Sequence, residues 1–221
     1  MTFDTDFESE KLAMCEVGQR LYSRGFSAAN DGNITVRVGP DRFLCTPTMQ
    51  SKGYLKPSDI VLIDSDGEVV AGTKKRSSEA FLHLEAYGNR PDVGAIVHCH
   101  PPHATAYAIT GQALPRWVLA EVEIFLGKIP IAPYKAPGSK EFAETIRPFL
   151  PESNAIILAN HGTLTLGKDL EQAFWWTEVL DAYCRILILA APLGPVRQFS
   201  PDQQLELSNL REKWSFAPPL Q

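Results

Sequence analysis

His98 and His100 stand two residues apart at the end of the apolar run Ala95-Ile96-Val97. Residues i and i+2 of a strand face the same side, so the two imidazoles converge while Cys99 turns away. That is metal-ligand spacing, although a hydrogen-bonded histidine pair in a core has the same pattern. Catalytic zinc sites use three protein ligands and leave one position for water or substrate. The chain has five histidines, His83, His98, His100, His103 and His161. His161 follows the apolar run 155–159 in Asn160-His161-Gly162, where a side chain can emerge from a strand end and glycine permits a tight turn. His98, His100 and His161 together predict one divalent ion, zinc, with Mn²⁺ or Co²⁺ as possible substitutes. His83, four residues after Glu79 on one helical face, and His103 are read as structural or ligand-supporting.

A second constellation is Ser77-Ser78-Glu79, followed by Phe81, Leu82, Leu84 and Tyr87 up to Gly88. The spacing predicts a helix with serine at its N-cap, and hydroxyls beside backbone N–H groups at a helix start form an anion site. Lys75 and Arg76 add positive charge. Plain capping explains the same serines.

The elements that position these residues follow from periodicity. Residues 10–24 have helical apolar spacing and stop at Gly25. The runs 33–38 and 42–46 form one hairpin, and 60–64 with 68–71, joined at Ser65-Asp66-Gly67, form another. Residues 95–100 make a short strand, and Pro101-Pro102-His103 ends it and starts a helix through Ala108. Short strands are predicted at 129–133 and 155–159, and a long amphipathic helix at 170–189. Pro, Gln and Ser accumulate beyond Pro192, predicting an extended tail over 195–221. Helices around a sheet of hairpins and isolated strands make an α/β layered fold without the regular rhythm of a doubly wound sheet. One domain spanning residues 1–221 is expected.

Composition narrows the function classes. A net charge of −5 gives no basic field for nucleic acid or anionic lipid. No apolar run reaches membrane-spanning length, and the acidic start Met1 to Asp6 predicts no secretory leader. Four dispersed cysteines without a Cys-x-x-Cys pair suggest neither a disulfide framework nor a thiolate zinc site, which fits the cytoplasm.

Six ordered pieces carry a family resemblance: Asn30-Asp31-Gly32-Asn33-Ile34-Thr35-Val36-Arg37, Thr46-Pro47-Thr48, Ser77-Ser78-Glu79, His98-Cys99-His100, Ala132-Pro133-Tyr134 and Asn160-His161-Gly162. From about Ala29 to Leu189 the chain resembles the class II aldolase/adducin family, typified by sugar-phosphate aldolases acting on fuculose 1-phosphate. The resemblance implies a three-layer α/β/α fold with a mostly antiparallel central sheet. It implies His98, His100 and His161 as zinc ligands and Glu79 as the acid/base. Asn33, Thr48, Ser77 and Ser78 would hold substrate phosphate.

The implied reaction is reversible aldol cleavage of a ketose 1-phosphate to dihydroxyacetone phosphate and an aldehyde through a metal-stabilised enediolate. A homotetramer with active sites at subunit junctions is likewise implied. Two departures matter. Met49 stands where family aldolases have glycine close to phosphate, and Glu121 and Glu123 stand near Leu119, where they have a tyrosine proton donor. Those two glutamates are candidate catalytic residues, because dehydratases of this family use a further glutamate downstream of the histidine pair. Dehydratase, 4-epimerase and decarboxylase chemistry on the same fold are alternatives, with a non-catalytic adducin-like module as a remote one. Epimerases tend to have aspartate at the Glu79 position.

Overall fold

The computed structural model describes residues 7–214. Its centre is one eight-stranded sheet in the order β4-β3-β2-β1-β5-β8-β7-β6. The strands are β1 (Asn33–Gly39), β2 (Arg42–Cys45), β3 (Val61–Ile63), β4 (Val69–Ala71), β5 (Ala95–Cys99), β6 (Ile131–Ala132), β7 (Ala155–Leu158) and β8 (Gly162–Gly167). Every neighbouring pair is antiparallel except β6 with β7. The expected mostly antiparallel sheet between helical layers is therefore what forms.

Strand alternation sorts the core into two faces. Ile34, Leu44, Leu62, Ala95 and Val97 point towards α1 (Glu8–Ser23) and the start of α6 (Leu170–Ala190), meeting Met14, Leu21 and Phe174. Phe43, Ile63, Ile96, Leu164 and Leu166 point the other way, towards Leu82, Ala86 and Tyr87 of α2 (Ala80–Asn89) and Phe142 of α5 (Lys140–Glu144). A third cluster joins α3 (Pro102–Thr110) and α4 (Ala120–Phe125) to α6 through Ala104, Tyr107, Val122 and Trp176. Because side chains alternate along a strand, His98 shares its face with Ile96 and so points to the α2 side, while Cys99 joins the opposite core.

Three sequence expectations change. The strand at 129–133 shortens to Ile131–Ala132, flanked by Pro130 and Pro133, which donate no backbone hydrogen bond to a ladder. The predicted extended tail over 195–221 instead contains α7 (Pro201–Lys213). Ser200 and Gln203 form a capping box with Pro201 in the first turn, a start signal that outweighs the polar composition. Residues 215–221 of that tail lie outside the described residues. Third, the serines do not occupy the N-cap of α2. Glu79 does, and the Ser77 hydroxyl accepts the Glu79 N–H at 3.2 Å. Among the described residues no helix is long and apolar enough to cross a membrane.

Candidate metal centre

Three strand ends bring the histidines together. His98 lies in β5, directly across from Asn33 of β1 and Leu164 of β8. His100 follows β5, and His161 sits in the tight β7–β8 connection, where Asn160 takes a left-handed conformation (φ 55°). His98 Nε2 is 3.3 Å from His100 Nε2 and 3.1 Å from His161 Nε2. One ligand atom from each of the three lies within 4.8 Å of those from the other two. Nitrogens bound to one ion at about 2.0–2.1 Å in a tetrahedral array stand roughly 3.3–3.4 Å apart, so these residues fit a metal ion.

The outer nitrogens of His98 and His100 are held by partners, as ligation requires. His98 is fully buried, and its Nδ1 lies 2.8 Å from the carbonyl of Thr163, which makes Nδ1 the donor and turns Nε2 towards the other two imidazoles. His100 Nδ1 lies 3.3 Å from Asp31 Oδ2. Burial, with repulsion from His98 and His161, lowers the His100 pKa to about 4, so this imidazole is neutral at ordinary pH.

Glu79 completes the cluster from the N-terminus of α2. Its Oε1 is 3.0 Å from His161 Nε2 and its Oε2 3.2 Å from His98 Nε2. Oε2 also accepts a hydrogen bond from Asn33 Nδ2 at 2.8 Å. Burial resists ionisation of this carboxyl, but His98 and His161 outweigh it and hold Glu79 far below the usual carboxylate range.

A cavity of about 190 Å³ opens beside these groups, and Asn33, Thr48, Ser77, Ser78 and Glu79 all line it with His100 and His161. Met49 stands at this cavity with a left-handed backbone (φ 55°) and a side chain 79% exposed, so the loop keeps the shape glycine favours without filling the pocket.

Other residues lie elsewhere. Glu121 is exposed on α4, and neither it nor Glu123 lines the cavity. Glu123 is buried, accepts two hydrogen bonds from Arg116, at 2.9 and 2.6 Å, and takes the Trp117 N–H on its other oxygen. His83 is buried against Thr35 and His103 pairs with Asp181, each at 2.8 Å. Sequence reasoning assigned no role to Asp31 or Lys52, both of which line the pocket. Asp31 reads as a turn residue, and a lone lysine between serine and glycine reads as solvent-exposed.

Comparison with known proteins decides the family. The description "Class II Aldolase and Adducin N-terminal domain" matches residues 12–188. The chain belongs to this family. As a class II aldolase domain it is 35% identical to an L-fuculose phosphate aldolase of Methanococcus maripaludis over 178 residues, 80% of this chain and 94% of that one. It is 33% identical to a 3-oxo-tetronate 4-phosphate decarboxylase of Haemophilus influenzae over 186 residues, 82% and 88% of the two chains. A solved L-fuculose 1-phosphate aldolase superposes with a TM-score of 0.85 at 30% identity, covering 94% of this chain and 97% of that one. Family and relatives make this chain an enzyme of the class II aldolase type, with a histidine triad able to bind a metal.

Proposed function

We propose that this chain is a zinc-dependent lyase that cleaves a ketose 1-phosphate reversibly into dihydroxyacetone phosphate and an aldehyde. The observation that carries the reading is Glu79, whose two oxygens lie 3.0 and 3.2 Å from the nitrogens of two histidines of the triad, at the edge of a serine-lined cavity. Three imidazoles suit zinc, a borderline-soft ion. When bound, the ion supplies Lewis-acid polarisation of substrate oxygens, worth several kcal/mol of charge stabilisation as the carbon–carbon bond breaks.

The chain's own residues do the rest. Asn33, Thr48, Ser77 and Ser78 grip the phosphate, the serines from just ahead of α2, where backbone N–H groups favour an anion. As the carbon–carbon bond breaks, the hydroxyl proton of the carbon that becomes the aldehyde is lost to solvent. The bonding pair stays on the enediolate carbon, to which Glu79 delivers a proton drawn from solvent; in condensation Glu79 removes that proton. Its oxygens, 3.0 and 3.2 Å from His161 and His98, stand beside the triad, within reach of a carbon next to any oxygen the ion would polarise. Asn33 orients the carboxylate, since its amide is already bound to Oε2.

The likeness to a 3-oxo-tetronate 4-phosphate decarboxylase supports a second reading, loss of CO₂ from a phosphorylated sugar acid. Both reactions leave charge on a carbon beside a carbonyl, so one site serves either. A homotetramer in the cytoplasm belongs to the same proposal. The test is to load the protein with zinc, confirm the ion by elemental analysis, and assay ketose 1-phosphates and phosphorylated 3-oxo acids side by side. Dihydroxyacetone phosphate plus an aldehyde supports the aldolase, CO₂ alone supports the decarboxylase, and no product from either class defeats both.

A further inference from the structure

Lys52 begins a short 3₁₀ turn, Lys52–Tyr54, and is 1% exposed. Its ammonium donates to the carbonyl of Asn30 at 2.8 Å and to that of Gln50 at 2.6 Å. These two acceptors lie on different loops: Asn30 precedes β1, and Gln50 follows the Thr46-Pro47-Thr48-Met49 segment. Lys52 thus ties together two loops that line the pocket, and itself lines it beside Ser77, Ser78 and Glu79.

A staple between two carbonyls needs donors but no charge. An ammonium carries three N–H donors, and the structure gives two of them acceptors. No carboxylate among the described residues lies within ion-pair distance of it. Asp59, the acidic side chain closest along the chain, bonds to Gln50 and pairs with Lys74 instead. A buried charge with no carboxylate in ion-pair contact is costly unless something pairs it.

We infer that Lys52 is a substrate-contacting residue whose third N–H and positive charge bind the phosphoryl oxyanion held by Asn33, Ser77 and Ser78. The inference deepens the proposed sugar-phosphate reading and rests on it. Burial lowers the Lys52 pKa to about 8 against the opposing pull of Asp31, Cys45 and Glu79, and an arriving dianion reverses that penalty. The same charge would compensate for methionine at position 49 in a phosphate pocket.

The test measures inorganic phosphate binding to the full-length, zinc-loaded chain by calorimetry, in the wild type and in Lys52→Met. Methionine matches the lysine stem and deletes only donors and charge. Loss of a charge-assisted hydrogen bond predicts phosphate binding weaker by about tenfold or more, with zinc stoichiometry retained. Should Lys52→Met fold poorly, the wild type gives a second readout. Reductive methylation with formaldehyde, read by peptide mass, should slow severalfold at Lys52 in phosphate and stay unchanged at Lys74. Phosphate affinity equal in folded wild type and Lys52→Met, unchanged methylation at Lys52, or no phosphate binding by the wild type would overturn the inference. Aldolase activity is scored apart. If the zinc-loaded wild type splits no sugar phosphate yet binds phosphate through Lys52, the reaction assignment fails alone.

Discussion

Gly162 stands hard against His100: a Cβ on Gly162 would lie 2.4 Å from Cδ2 of that imidazole and 2.5 Å from the carbonyl oxygen of Cys99. The start of β8 can approach the end of β5 this closely only without a side chain, and that approach sets His161 beside His98 and His100. Gly162→Ala should therefore push His100 off the triad. Zinc affinity, measured by competition with a chromogenic chelator, should fall roughly 10- to 100-fold, the usual cost of disturbing a ligand's support. The unfolding free energy should drop by about 1–3 kcal/mol from overpacking. A full stability loss with unchanged zinc affinity would show that the glycine serves the fold and not the site.

The triad and Glu79 should separate by readout. On the zinc-lyase proposal His161→Ala removes one imidazole of the triad, so both bound zinc and turnover should disappear. Glu79→Gln keeps the shape and removes the proton acceptor. Zinc should remain stoichiometric while kcat falls about 10²- to 10⁴-fold, the range for loss of one acid–base group. Elemental analysis and steady-state kinetics on the same preparations decide it. A Glu79→Gln enzyme that turns over normally would remove Glu79 from the chemistry.

Much of this site was legible because its parts are local. His98 and His100 share a face through the two-residue period of β5, and Ser77-Ser78-Glu79 marks a helix start whatever surrounds it. Strand β8 was harder. Gly162-Thr163-Leu164-Thr165-Leu166-Gly167 alternates as a strand should, yet its threonines are buried, and only the fold shows why. Thr165 reaches Ala173 and Thr177 of α6, at 2.9 and 2.7 Å. Lys52 was invisible for a similar reason. Its burial depends on Asn30, twenty-two residues away, and nothing in its own neighbourhood records that contact. Helix α7 was obscured by composition, although Ser200-Pro201 and Gln203 spell a capping box. Its position on α4 depends on Arg211, whose guanidinium donates to the carbonyls of Glu123 and Ile124 at 3.3 and 3.0 Å.

Buried His83 makes stability depend on acid. Its Nδ1 lies 2.8 Å from Thr35 Oγ1, which itself donates to Tyr87, so His83 acts as the donor and its Nε2 is left without a hydrogen bond. Burial, with the charge of His98, lowers its pKa from 6.5 to about 3. Between those values the unfolded chain binds a proton that the folded chain refuses, so stability must fall as pH drops below 6.5. The contribution is on the order of 1 kcal/mol per pH unit. Urea unfolding of the wild type across that window should be steeper in pH than that of His83→Gln by this amount. Equal slopes would mean that His83 accepts a proton without unfolding.

Glu123 should prove to be a holder of structure. Its carboxylate takes Arg116 on one oxygen and the Trp117 N–H on the other, and Trp117 sits in a left-handed conformation (φ 65°) that side chains disfavour. The charge is buried on the glutamate side, whereas the Arg116 side chain is 37% exposed, so solvent shares in the pairing. Glu123→Gln should cost roughly 2–3 kcal/mol, below the full value for breaking a fully buried pair. Glu121 is exposed and bears no such burden, so Glu121→Gln should leave unfolding within about 0.5 kcal/mol of the wild type. The kinetic consequence follows from where these groups sit, since neither lines the histidine cavity. Both variants, assayed while folded and zinc-loaded, should keep kcat within a few-fold. A large loss of kcat in Glu121→Gln with stability intact would instead bring α4 to a neighbouring subunit's active site, and a concentration-dependent rate for mixed inactive variants would then identify the shared site.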